Sequence, residues 1–252
     1  MPRSLSILLV GESWFTWSLH QKGFDTFQTA EYSEGAEPFI SALTARGHQV
    51  RHIPAHLVDA QFPRTPAELA GTDVVVVSDV GANTFLLTKE TFAQSKVVAN
   101  RLESLRDWVA QGGALLMVGG YLSFSGIDGK ARYGRSPLAD ALPVTLLDGD
   151  DRVEMPQGFA PSVQDASHPA LKGVEGEWPS LLGYNRLLAR DSSTVLVRHG
   201  DDPILVVGEY ERGRTAAFAS DLSPHWAPPD FVSWEGYSAL WDALTAWLTE
   251  TP

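Results

Sequence analysis

Cysteine is absent from all 252 residues. That one absence excludes disulfides, thiolate metal sites and a cysteine nucleophile. Basic residues are scarce: 19 Lys and Arg stand against 31 Asp and Glu, for a net charge of −12 at pH 7. A nucleic-acid binder presents a basic stripe, and none is visible, so no nucleic-acid partner is expected. The acidic balance also disfavours an anionic membrane surface, and no membrane partner is expected. No apolar run approaches the roughly 18–20 residues that span a bilayer. The Leu5–Val10 run is too short for a signal-peptide core and no small-residue cleavage site follows, so a cytoplasmic address is the expectation. Neither G-x-G-x-x-G nor G-x-x-x-x-G-K-[ST] occurs, and no cofactor is expected.

What is present is a run of short apolar segments alternating with helical ones. Ser6–Val10, Gln49–Ile53, Asp73–Ser78 and Ala114–Val118 read as strands, and Val74–Val77 is apolar throughout, as in a strand covered on both faces. Gly35–Arg46 and Val97–Gln111 have helical spacing and end at glycines, and Pro66–Ala70 is a short helical turn. Later, Thr194–Arg198, Ile204–Tyr210 and Arg214–Ser220 read as strands, with a hairpin turn at Glu211-Arg212-Gly213. Tyr237–Leu248 closes the chain as a helix. This pattern predicts an α/β fold: a three-layer sandwich around a flavodoxin-like, mostly parallel sheet, with added antiparallel strands near the C-terminus. Residues 1–252 form one expected domain, with an irregular, Pro- and Gly-rich insertion over about 143–185.

Ligands of such sheets sit beyond the carboxyl ends of the strands. Those ends are Gly11–Trp14, Asp79–Asn83 and Gly119–Ser125. The last has the form of an elbow that presents a nucleophile, with Gly119 and Gly120 turning the chain and Tyr121 displayed.

Seven segments follow one another along the chain: Ser78-Asp79-Val80-Gly81-Ala82-Asn83-Thr84, Gly119-Gly120-Tyr121-Leu122-Ser123-Phe124, Tyr133, Ser136-Pro137-Leu138, Leu142-Pro143-Val144, Ser167-His168-Pro169-Ala170-Leu171 and Ser220-Asp221-Leu222-Ser223-Pro224-His225-Trp226. In content and order they resemble bacterial proteins with a class I glutamine amidotransferase-like fold. Trehalose-utilisation-type proteins are more distant relatives. The resemblance implies a Cys–His–Glu arrangement in which a thiolate attacks glutamine's amide. The cysteine position falls on Tyr121 and the histidine most resembles His225, where the usual His-Pro-Glu order is absent. A phenol with a pKa about 10 is a poor nucleophile near neutrality. Glutamine hydrolysis by the thiol route is therefore not expected.

The remaining candidates each carry two readings. Tyr121 and Ser123 either line a pocket, with Ser123 a nucleophile beside His225 or an acid, or fill the old cysteine pocket and cap a turn. Asp79 and Asn83 either bind a polar ligand or hold their own turn. Glu12, Ser13 and Trp14 suit a hydroxyl-rich ligand, with Trp17, Trp226 and Trp234 as further wall or as core and subunit interface. Asp221 and His225 either form a tuned acid–base pair or cap a turn and pack. His48, His52 and His56 recur every four residues, but Pro54 breaks any shared face, so no metal site is expected. Asp148, Asp150 and Asp151 lack a calcium-loop signature and read as a solvated turn, and His168 reads as structural. The leading expectation is a small polar metabolite, sugar-like ones included, bound without glutaminase chemistry in a cleft formed by Glu12–Trp14, Asp79–Asn83, Gly120–Ser123 and Asp221–Trp226. The alternatives are a hydrolase or isomerase using His225 with Asp221 or Glu12, and a non-catalytic homo-oligomer.

Overall fold

A computed structural model describes residues 3–250. β1 (Ser6–Gly11) is almost wholly buried and leads into a two-stranded ribbon, β2 (Ser13–Lys22) and β3 (Asp25–Glu34). Helix α1 (Glu37–Ala45) returns the chain to β4 (Gln49–Ile53). A short turn, α2 (Val58–Gln61), precedes β5 (Val74–Ser78). Three helices, α3 (Ala82–Leu86), α4 (Lys89–Gln94) and α5 (Arg101–Ala110), lead to β6 (Ala114–Val118). β7 (Val144–Leu146), β8 (Arg152–Phe159), β9 (Ser162–Val163), β10 (Leu181–Asn185) and β11 (Leu187–Ala189) are short. β12 (Thr194–His199), β13 (Asp202–Tyr210) and β14 (Gly213–Phe218) follow, then α6 (Pro229–Val232) and α7 (Glu235–Leu248).

The central sheet has eight strands in the order β4-β1-β5-β6-β14-β13-β12-β9. The first five are mutually parallel, and β13, β12 and β9 extend the sheet antiparallel. Counted along the chain, the parallel strands run 2-1-3-4-5, the flavodoxin-like order. Right-handed crossovers then decide the layers. The step from β1 to β4 goes one way and the step from β5 to β6 the other, so α1 and α5 fall on opposite faces. α7 packs beside α1, and α5 packs with α3, completing three layers. The direction reverses between β1 and β5, so the crevice above those two ends is the topological switch point where ligands bind.

The expected elements match the structure, with small shifts at their ends. The helix expected from Val97 begins at Arg101, because the Asn100 side chain accepts from the Leu102 and Glu103 N–H groups and caps it there. Two regions differ more. The β2–β3 ribbon fills a stretch to which no element was assigned, although Phe15, Trp17 and Leu19 alternate with Thr16, Ser18 and His20 before the Gly23 turn. The stretch read as irregular over 143–185 holds β7 to β10, with β8 paired to β10 and β7 to β11. Its alternation is obscured by Pro156 and Gly158 inside β8 and by a register shift between Leu181 and Gly183.

Candidate functional site

Four neighbouring parallel strands deliver one polar side chain each to the same edge. Glu12 follows β1, Asp79 follows β5, Tyr121 lies beyond β6 and Asp221 beyond β14. Local backbone geometry turns the first two inward. Gly11, at φ +105°, lies so close to β5 that a Cβ would sit 1.9 Å from the Ser78 carbonyl oxygen. Glu12 (φ 49°) and Asp79 (φ 44°) then adopt the left-handed conformation. For non-glycine residues this costs on the order of 1–3 kcal/mol, so the surroundings must hold it. They do: the Glu12 N–H donates to the Ser78 carbonyl at 3.0 Å, and the Asp79 N–H donates to Ser123 Oγ at 3.1 Å. Tyr121 itself is not left-handed; in the Gly119–Ser125 segment that conformation falls on Phe124 (φ 53°).

Glu12, Asp79 and Asp221 share a cavity of about 570 Å³ with Trp14, Tyr121, Leu122, Ile127, Ser223, Pro224 and His225. Burial pushes the Glu12 carboxyl well above the usual range, and the charges of Asp221 and Asp79 add to it. Hydrogen bonds donated by Ser78 Oγ (2.7 Å) and Ser223 Oγ (2.8 Å) oppose that rise without cancelling it. Asp221 is also raised well above the ordinary value, by burial and then by Asp79. Burial raises Asp79 too, against the N–H of Leu122 (2.7 Å to Oδ1) and the charge of His225. Three carboxyls this close do not all ionise at once. The cluster therefore both donates and accepts hydrogen bonds.

His225 Nδ1 lies 3.5 Å from Asp221 Oδ2, and its ring meets Tyr121 edge-on at 4.4 Å between centroids. The opposite neighbour of Tyr121 is Arg152, whose guanidinium carbon is 4.5 Å from the ring centre. Burial, and then Glu154, raise the Tyr121 phenol. That is the wrong direction for a phenolate nucleophile. Trp226 stands behind, stacked on His225, with Nε1 donating to Glu154 Oε2 at 3.0 Å.

Six predicted site residues thus line one cavity: Glu12, Trp14, Asp79, Tyr121, Asp221 and His225. Others support it from outside. Ser123 is buried, and its hydroxyl is engaged by the Asp79 N–H, so it is a brace and not an exposed nucleophile. Ser13 Oγ accepts from the Ala55 N–H at 2.8 Å and does not line the cavity. Asn83 is exposed on α3, with its carbonyl accepting from Leu87 N–H, and also lies outside the lining. The Gly119 N–H ties β6 to β14 through the Phe218 and Ser220 carbonyls at 2.8 and 2.9 Å. Gly120 (φ +137°) has no room for a Cβ, which would meet Asp79 Oδ1 at 2.8 Å. Trp226 is buried and outside the lining, Trp17 is exposed on the ribbon, and Trp234 packs near Trp178 and Phe231.

The elbow also rests on two residues that the sequence left unassigned or misread. Asn185 Oδ1 accepts from the Gly120 N–H at 3.0 Å, and its Nδ2 donates to Asp151 Oδ1 at 2.8 Å. Asp151 in turn accepts the Ser125 and Gly126 N–H groups, each at 2.9 Å. Asp151 is buried, which corrects its reading as part of a solvated turn. These partners are 25 to 65 positions apart in the chain, so no local pattern marks them. The three periodic histidines disperse. His48 bonds Asp242, His52 bonds the Gly11 carbonyl, and His56 meets the rings of Phe15 and Tyr32. Among the described residues no cluster of three or more His, Asp or Glu side chains is placed to hold a metal.

A flavodoxin-like sheet with these polar side chains gathered at the switch point and the strand ends beside it is the frame of a doubly wound α/β protein with its cleft at the usual ligand edge. The family model described as "Putative glutamine amidotransferase" matches residues 6–250, and the chain belongs to this GATase1-like family. Among solved structures it is similar to cytoplasmic protein STM3548 of Salmonella typhimurium, at 46% identity and a TM-score of 0.94, over 97% of this chain and 99% of that one. It is also similar to cytoplasmic protein STM1381 of Salmonella typhimurium LT2, at 45% identity and TM-score 0.94, over 98% of this chain and all (100%) of that one. A ThuA-like protein from Parabacteroides merdae shares the fold, at 11% identity and TM-score 0.57, over 98% of this chain and 90% of that one. No curated protein matches the chain. Among the described residues no helix is long and apolar enough to cross a membrane.

Proposed function

We propose that this protein binds a small, uncharged, hydroxyl-rich metabolite of sugar-like character in the strand-end cleft, and that it is not a glutaminase. The observation that carries this reading is the lining: three carboxyls, Ser223 and one histidine, with no Lys or Arg, set among the rings of Trp14 and Tyr121 and the apolar side chains of Leu122, Ile127 and Pro224. Aromatic faces pack against the C–H surfaces of a polyol, and carboxyls bond its hydroxyls. A phosphate or carboxylate would add a further negative charge beside three buried carboxyls that already oppose one another's ionisation, and no cation in the lining offsets it. The zero-cysteine composition and the raised Tyr121 phenol support the loss of glutaminase chemistry. The cytoplasmic relatives support a cytoplasmic address.

Calorimetric titration against neutral sugars and polyols, sugar phosphates and sugar acids tests the ligand class. Neutral ligands are expected to bind, with affinity weakened at least about tenfold by Trp14→Ala or Asp79→Asn. Binding confined to the anionic ligands overturns the reading. Ammonia release from glutamine, abolished by Tyr121→Phe, overturns the negative half.

A second reading rests on the His225–Asp221 contact. A carboxylate at Nδ1 sets the imidazole for proton transfer at Nε2, as in a hydrolase or isomerase. Turnover of a bound ligand that is lost in His225→Gln while binding persists would establish it.

A further inference from the structure

The β2–β3 ribbon has work that the cleft does not explain. Among the described residues its strands pair with each other and with no other strand, Ser13 opposite Glu34 through Lys22 opposite Asp25. Side chains alternate between its faces. One face carries Phe15, Trp17 and Leu19 on β2, opposite Tyr32, Ala30 and Gln28 on β3. The other carries Trp14, Thr16, Ser18, His20 and Lys22, opposite Ser33, Glu31, Thr29, Phe27 and Asp25, and is polar apart from Trp14 at its base and Phe27, which stacks on His20 near its tip. On the apolar face Phe15 is 52% exposed, Trp17 71%, Leu19 69% and Tyr32 38%. Only its base is anchored, where Phe15 and Tyr32 meet His56. A lone two-stranded ribbon is marginal in water, and an uncovered apolar face of this kind marks an interaction surface.

We propose that the ribbon's apolar face is covered by the same face of a second copy of this chain. Three features select that occupant. The apolar face itself, Phe15, Trp17 and Leu19 with Tyr32, Ala30 and Gln28 opposite, holds no charged residue, and Glu31 lies on the other face, so the apolar face is complementary to itself, as a two-fold interface requires. Four side chains of this size leave about 400–500 Å² of apolar surface per chain. Two such faces together remove about 800–1,000 Å², near the smallest area of a specific interface. Finally, each body carries a share of the −12 net charge, which opposes body-to-body contact. Ten extended residues reach about 30 Å, so the arms meet where that repulsion is weakest.

Sedimentation analysis of the full chain from about 1 to 100 µM tests this. The wild type is expected at twice its 27.4 kDa monomer mass. Trp17→Glu combined with Leu19→Lys is expected to raise the dimer Kd at least about 100-fold, with an unchanged far-ultraviolet spectrum, because both side chains are exposed. Thr16→Lys with Ser18→Glu, on the opposite face of the same ribbon, is expected to leave the dimer intact. A wild type that stays monomeric at the highest concentration overturns the proposal. So does a dimer that survives the first pair of substitutions or is lost with the second.

Discussion

Glu12 shows how one residue can matter both to the site and to stability. Its folded carboxyl titrates well above its ordinary value of 4.5, so the native state holds that proton more tightly than the unfolded chain does. The stability this confers is present below about pH 4.5 and is lost as pH rises through the raised folded value. Glu12→Gln removes the titration and keeps a partner for Ser78 and Ser223. The variant is expected to gain on the wild type between about pH 5 and pH 8, by on the order of 1 kcal/mol, or about 2–4 °C in Tm. Calorimetric scans at the two pH values check it; a Tm difference that does not change with pH removes burial of the charge as the explanation. Asp151→Asn makes the opposite case. It turns one oxygen that accepts N–H bonds into a donor, and a loss of about 2–3 kcal/mol in urea unfolding is expected. Glu12, Asp79 and His225 were legible as site residues because strand ends are where this architecture binds. Asp151 and Asn185 were not, because their partners are distant in sequence.

Among the elements, α5 is held by its first residue. Arg101 is buried, with Nη1 donating to the Val58 carbonyl and Nη2 to the Asp59 carbonyl, both at 2.7 Å. The planar fork fits two adjacent carbonyls at the α2 turn; a lysine ammonium does not. Arg101→Lys is expected to lose about 2–3 kcal/mol in urea unfolding, and a loss below about 0.5 kcal/mol would show that the fork is not the attachment. Strands β1, β5 and β6 were legible because each is an apolar run buried on both faces. The β2–β3 ribbon alternates only from Phe15 to Leu19; Trp14 and Phe27 fall on the other face and blur the period, and its apolar residues face solvent instead of the core.

For the molecule as a whole, charge is the dominant global quantity. A net −12 destabilises the compact state through self-repulsion, which salt screens. Raising sodium chloride from about 0.05 to 0.5 M is expected to raise Tm by a few degrees. The Glu12→Gln advantage at the higher pH is expected to persist in that salt, because buried charges are screened little. If salt erases the advantage, the repulsion at Glu12 comes from the surface and not from its buried neighbours.

The sequence by itself determined the sheet, its layers and the edge where the cleft lies, since apolar runs, helical spacing and glycine stops are local signals that burial and chirality convert into one topology. It also settled the missing thiol. The tertiary structure decided which residues meet: three carboxyls share one cavity, Ser123 is turned into a brace, and Asp151 is drawn under the elbow. Those outcomes depend on close approaches between segments far apart in the chain, such as Gly11 against Ser78 and Gly120 against Asp79, and contacts of that kind leave no local pattern.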